Sequence, residues 1–134
     1  MQGVYIDTSA LVKLFVPEAE SVPLRRWLTD HKPRLVTSEI TTTELLRACR
    51  RYSPETASAV RASLNTLTIV ALTRDLSLYA ALVEPAALRT LDAIHIATAT
   101  KLSPDLRGII TYDKRMVDTA MSQGLQAISP GALD

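Results

Sequence analysis

The chain has 134 residues, enough for one domain that buries a core without help from disulfides or a structural metal. With 15 Lys and Arg against 14 Asp and Glu, its net charge is +1, so overall charge draws it to neither nucleic acid nor membrane and any such attraction is local. Cys49 is the only cysteine, which excludes an intramolecular disulfide and suits a reducing compartment.

The opening Met-Gln-Gly-Val-Tyr-Ile-Asp lacks the basic region of a signal peptide. No apolar run approaches the roughly 18 residues of a membrane span. A cytoplasmic protein free of the membrane is the expectation. The first strand is expected over Val4–Ile6, followed by a helix over Pro23–His31 and a second strand over Leu35–Val36. Ser38 reads as the N-cap of a helix running to about Tyr52, and Ser53 with Pro54 opens the next, in which Val60, Leu64 and Leu67 recur at helical spacing. Thr68–Ala71 reads as the third strand. Asp75 is expected to cap a helix that ends near Glu84-Pro85, and Thr90 another in which Leu91, Ile94, His95, Thr98 and Leu102 share a face. Gly108–Ile110 and Gln126–Ile128 supply two more strands, with a last helix between them that starts near Asp113 and closes at Gly124. Short apolar strands alternating with helices predict an α/β fold, with a central, mainly parallel five-stranded sheet in a three-layer α/β/α sandwich. The whole chain, 1–134, reads as a single domain.

Asp7 follows the first strand directly, and Asp113 follows the fourth across Thr111-Tyr112. Both fall at strand C-termini, the edge of an open parallel sheet where ligands bind. A lone acid in that position is more often a helix cap, so neither decides the matter by itself. Glu44 lies one turn after Ile40 and one before Ala48, on a helix face shared with apolar residues, where a buried acid needs a partner such as Arg47. Glu39, five residues earlier, is rotated away and expected to be exposed. Asp92 falls in the first turn of its helix, where the macrodipole favours a carboxylate by about 0.3–1 kcal/mol. Yet its surroundings, Leu91-Asp92-Ala93-Ile94-His95-Ile96-Ala97, are apolar enough to be core.

Four carboxylates brought together repel by roughly 1–4 kcal/mol per pair at a near-surface dielectric. A cation is needed to keep them ionised. Oxygen-only ligands favour Mg²⁺ or Mn²⁺, and such an ion can polarise a phosphodiester and lower the pKa of a bound water. His95 lies on the apolar stripe and reads as core, while Cys49 and His31 make no cluster with it, so zinc is not indicated.

The sequence resembles a PIN-domain ribonuclease of the VapC toxin type. The resemblance is carried by Asp7-Thr8-Ser9-Ala10-Leu11 after the first strand, Glu44 in the helix after the second, Leu91-Asp92-Ala93-Ile94-His95-Ile96-Ala97, and Thr111-Tyr112-Asp113 after the fourth. It implies a PIN-like fold and an acidic site of Asp7, Glu44, Asp92 and Asp113 that holds Mg²⁺ or Mn²⁺ and cleaves RNA, with Asp7 and Asp92 as the metal ligands. Thr8, Ser9 and Thr111 are implied to support that site, although Ser9 also suits a helix cap. Relatives that carry a further acid near the fourth have no obvious counterpart here, since Asp118 lies five residues beyond Asp113 and reads as surface. The resemblance also implies a homodimer and a cognate VapB-type antitoxin able to push a basic side chain into the acidic pocket.

Arg47, Arg50 and Arg51 sit at helical spacing beyond Glu44, where they can meet an RNA phosphate or form an ordinary solvated face, and Lys114 and Arg115 beside Asp113 are also placed to meet phosphate. Tyr112 is placed to stack on an unpaired base. The alternatives are a PIN-like module that binds nucleic acid without cutting, and a structure-specific nuclease acting on DNA. A phosphorylated receiver domain is disfavoured, because Thr8 and Ser9 stand where it needs a second acid and the third strand ends in Ala71-Leu72-Thr73. Ser9 likewise breaks the Asp-x-Asp pattern of the aspartate-based phosphatases.

Overall fold

The computed structural model describes residues 2–132. Five parallel strands form one sheet: β1 (Gly3–Ile6), β2 (Arg34–Ser38), β3 (Thr68–Val70), β4 (Leu106–Ile110) and β5 (Ala127–Ile128), in the order β3-β2-β1-β4-β5. The helices are α1 (Thr8–Val12), α2 (Ser21–His31), α3 (Glu39–Tyr52), α4 (Pro54–Ser63), α5 (Arg74–Ala81), α6 (Thr90–Leu102) and α7 (Lys114–Ser122). Short 3₁₀ turns follow α4 and α6.

Strand alternation explains the layers. Val4 and Ile6 of β1 point to one face with Ile110, where Ala10, Leu11, Leu24, Leu45, Cys49 and Val60 bring α1 to α4 onto the sheet. Tyr5, Val36 and Ile109 point to the other, against Ile96 and Ala99 of α6 and Met116 and Ala120 of α7. Helix α5 packs on the outer side of α6 through Leu76, Ala80 and Ala97. The three-layer parallel α/β/α arrangement expected from the sequence is therefore the fold observed.

Central strands are buried on both faces, as their apolar runs require, β1 throughout and β4 at all but Arg107. The edge strand β3 departs from that expectation: Thr68 and Ile69 are exposed, because only β2 flanks it. Several expected boundaries hold. Ser38 accepts from Ile40 N at 3.2 Å and Ser53 from Thr56 N at 3.0 Å, and Gly124, at φ +82°, follows α7. Two caps differ. Thr73, not Asp75, starts α5 by accepting from Leu76 N at 3.1 Å. Thr90 lies inside α6, whose N-cap is Arg89, since Ala93 N already bonds the Arg89 carbonyl at 2.9 Å. Leu91 does not share the buried stripe of that helix and is 45% exposed.

Gly108 sets the approach of β5. A Cβ there would lie 2.5 Å from the Gln126 carbonyl oxygen, a backbone atom that also accepts from Ile109 N. Gly108→Ala is expected to push the last strand away and destabilise the fold by about 1–3 kcal/mol. Urea denaturation checks this, and an unchanged midpoint would remove the steric role given to this glycine.

Candidate active site

All four predicted acids have places around the C-terminal edge of β1 and β4. Asp7 leaves β1 and caps α1, with its backbone tied to the neighbouring strand by Asp7 N to Ile110 O at 3.1 Å. Its side chain is almost wholly buried. Oδ1 accepts from Ala10 N at 3.0 Å and from the Ser9 hydroxyl at 2.8 Å, and Oδ2 accepts from the Thr111 hydroxyl at 2.6 Å. Ser9 therefore does not cap α1 but braces the residue that does. Burial raises the Asp7 pKa above the ordinary carboxylate range, and the bonds from Thr111, Ala10 and Ser9, with the nearby His95, offset only part of that.

Thr111 joins Asp7 to Asp113. While donating to Asp7, its hydroxyl oxygen accepts from Asp113 N at 3.2 Å. Asp113 caps α7 through Oδ1, which accepts from Arg115 N at 2.9 Å and Met116 N at 3.3 Å. Its Oδ2 turns instead to a cation absent from the sequence-based site: Arg89 places Nη2 3.0 Å from Asp113 Oδ2 and Nε 3.0 Å from Asp92 Oδ2. One guanidinium thus bridges two of the four acids.

Glu44, on α3, is half-buried and does not pair with Arg47, which is exposed. Its Oε1 accepts from the Thr8 hydroxyl at 2.6 Å and lies 2.9 Å from His95 Nε2. The opposite ring nitrogen, Nδ1, is 2.6 Å from the Tyr5 hydroxyl. Burial drives the Tyr5 pKa far upward, so the phenol keeps its proton beside the ring. An ionised Glu44 can only accept, so Nε2 donates in the His95–Glu44 bond. Burial alone would raise the Glu44 pKa, but the bonds from His95 and Thr8 prevail and hold it below the usual value. His95 is core, as its position on the stripe suggested, and also a positioning group for an acid.

The basic and aromatic candidates divide. Arg47, Arg50, Arg51, Lys114 and Arg115 are exposed, and Asp118 lies on the surface as expected. Arg47 and Arg50 line a groove of about 390 Å³ with Pro54 and Arg61, and a smaller one with Arg51. Tyr112 is less free to stack than expected. Its hydroxyl donates to the Pro130 carbonyl at 2.7 Å and Lys13 Nζ covers its ring at 4.7 Å from the centroid.

The donor set suits a hard divalent ion. Its members are carboxylate oxygens, and two of them already converge on one positive charge. Among the described residues, however, no three His, Cys, Asp or Glu side chains lie close enough to enclose an ion by themselves, so the four acids do not close into one cage. A sparse set of this kind fits Mg²⁺, which keeps several waters and takes few protein ligands.

Residues 4–121 match the PIN domain family. Ribonuclease VapC46 of Mycobacterium tuberculosis is 41% identical over 97% of this chain and 99% of its own length, and Ribonuclease VapC47 of the same species 38% over 97% and 98%. Among solved structures, Mycobacterium tuberculosis VapC20, described as a sarcin-ricin loop cleaving toxin, superposes with a TM-score of 0.77 at 20% identity, covering 96% of this chain and 100% of that one. A toxin-antitoxin complex from Klebsiella pneumoniae gives 0.73 at 24% identity, covering 96% and 98%.

The opposite shifts of Asp7 and Glu44 predict opposite pH behaviour without metal. Because the folded-state pKa of Asp7 is raised, the stability linked to it is full below the unfolded value of about 4 and is lost as pH rises through the folded value. Asp7→Asn should therefore melt higher than wild type at pH 7 in chelator, and the gap should close near pH 4. Glu44, depressed, contributes stability above its unfolded pKa that is lost as pH falls through the folded value, so Glu44→Gln should melt lower at pH 7. Thermal melts across pH check both, and like-signed shifts for the two variants would contradict the assignment.

Proposed function

This chain belongs to the PIN-domain family, within its VapC group, and we propose that it is a Mg²⁺- or Mn²⁺-dependent endoribonuclease acting as the toxin of a toxin-antitoxin pair. The observation that carries this reading is the network that links Asp7, Asp113 and Asp92 through Thr111 and Arg89 at the ligand-binding edge of the sheet, with Glu44 bonded beside it to Thr8, the residue next to Asp7. Relatives at about 40% identity over nearly the whole chain, each named a ribonuclease, support RNA as the substrate. The neighbouring toxin-antitoxin complex supports an antitoxin as the partner. The protein works as one PIN domain over 1–134, as a cytoplasmic homodimer. No helix among the described residues is long and apolar enough to cross a membrane.

Asp7 and Asp92 would hold the ion, which when bound supplies Lewis-acid stabilisation of the phosphodiester and a more acidic water. Glu44 has a separate task. Both its hydrogen bonds fall on Oε1, so Oε2 is the oxygen left to orient the attacking water and receive its proton. His95 and Thr8 keep that carboxylate ionised and fixed in direction. Asp113, anchored by its cap to α7, holds the far side of the pocket beside Asp92. Thr111 and Ser9 keep Asp7 from turning. The exposed Arg47, Arg51 and Lys114 receive the RNA backbone as it enters.

Two measurements test this. Purified protein free of antitoxin should cut RNA with Mg²⁺ or Mn²⁺ and stop in chelator, and Asp7→Asn or Asp92→Asn should lower the rate by about 10²-fold or more. Wild type no more active than these variants would count against catalysis and favour a binding module. Separately, Arg47→Ala with Arg51→Ala should weaken binding evenly across RNA sequences and flatten its salt dependence by about one unit per lost phosphate contact, read by fluorescence anisotropy. A loss confined to one sequence would assign these arginines to base readout instead.

A further inference from the structure

We infer that Arg89 is an internal competitor for the metal: its guanidinium holds Asp92 and Asp113 together when no ion is bound and must leave them before one enters. The inference rests on the metal-dependent reading above. Arg89 stands at the N-cap of α6, a position normally given to a side chain that accepts from the first free N–H groups, yet its side chain makes no capping bond. It is spent instead on the acids. Nε meets Asp92 Oδ2 and Nη2 meets Asp113 Oδ2, each at 3.0 Å, so that the N-cap of α6 reaches the cap of α7 across 24 positions of sequence.

The rest of the geometry fits a displaceable cation better than a structural one. The Arg89 side chain is 65% exposed, whereas its partners, at 18% and 25%, are largely covered. An exposed ion pair contributes little to stability, so the fold does not depend on the contact. The acids do. Two carboxylates directed at one point repel each other unless a positive charge lies between them, and Arg89 supplies it. A guanidinium and a hard divalent ion satisfy the same oxygens, and they cannot do so together: Asp92 Oδ2 and Asp113 Oδ2 each have their approach taken by an N–H group. Arg89 directly follows the turn of residues 85–88, whose Pro85 carbonyl accepts from Leu88 N at 2.9 Å.

The test is metal affinity with RNA absent. Mn²⁺ binding to the full chain, followed by calorimetry or by the loss of free-ion electron paramagnetic resonance signal, should be about three- to tenfold tighter in Arg89→Gln than in wild type. Arg89→Lys keeps the charge but not the two-pronged geometry and should fall between them. Unchanged or weaker binding in Arg89→Gln, with wild type binding normally, overturns the competition alone. Absence of Mn²⁺ binding in every form, including Arg89→Gln, overturns the metal-dependent reading and the competition with it.

Discussion

Everything at this site depends on keeping a buried carboxylate where water cannot help it. Asp7 lies at the end of the central strand, hydrogen-bonded through its backbone to β4 and closed over by α1. Its place in the sheet brings it to the ligand-binding edge, and burial is the consequence. Taking an ionised carboxyl out of water is costly unless hydrogen bonds replace the solvent. Thr111, Ser9 and Ala10 N–H provide that replacement from three directions. Burial outweighs those bonds and raises the pKa, and an incompletely compensated negative charge attracts a cation.

The other acids are balanced in different ways, which gives them different roles. Glu44 obtains compensation from within the protein, through His95 and Thr8, and its pKa falls instead of rising. It remains charged without an ion, which is what the proposed role on water requires. Asp92 and Asp113 are balanced by Arg89, a flexible and exposed cation. The site is thus divided between a fixed half, built on β1 and α3 and braced by buried groups, and an adjustable half, built on the N-terminal ends of α6 and α7.

Much of this was legible in the sequence, for reasons that depend on locality. The positions of Asp7 and Asp113 follow from an apolar strand that ends in an acid, and Ser38, Ser53 and Gly124 mark helix ends through contacts within three residues of themselves. The family pattern brought Glu44 and Asp92 to the same edge. The caps at Thr73 and Arg89 were misplaced because neighbouring residues, Asp75 and Thr90, offer equally good local chemistry, and only the backbone path selects between them. His95 was legible as core, from helical spacing, but its bond to Glu44 spans 51 positions and leaves no trace in periodicity. Arg89 left a fainter one: a basic residue three positions before an acid in a helix's first turn could have suggested the Asp92 pair, though not the bridge to Asp113.

The division into halves also bears on how a nuclease of this kind remains intact when idle. Four acids without a counter-ion would strain the edge of the sheet, and the strain would be greatest where the acids are anchored by helix caps that cannot move away. Asp113 cannot retreat, because Oδ1 is committed to the start of α7. Asp92 is held by the first turn of a helix buried through most of its length. On the proposed reading the movement falls to the cation, since Arg89 is the most exposed member of the network and stands outside the helix it precedes. On that proposed metal-dependent reading, the fixed carboxylates meet an incoming ion already in place, so binding does not need the framework to rearrange, and pre-organisation of the acids and mobility of their counter-charge become two parts of one design.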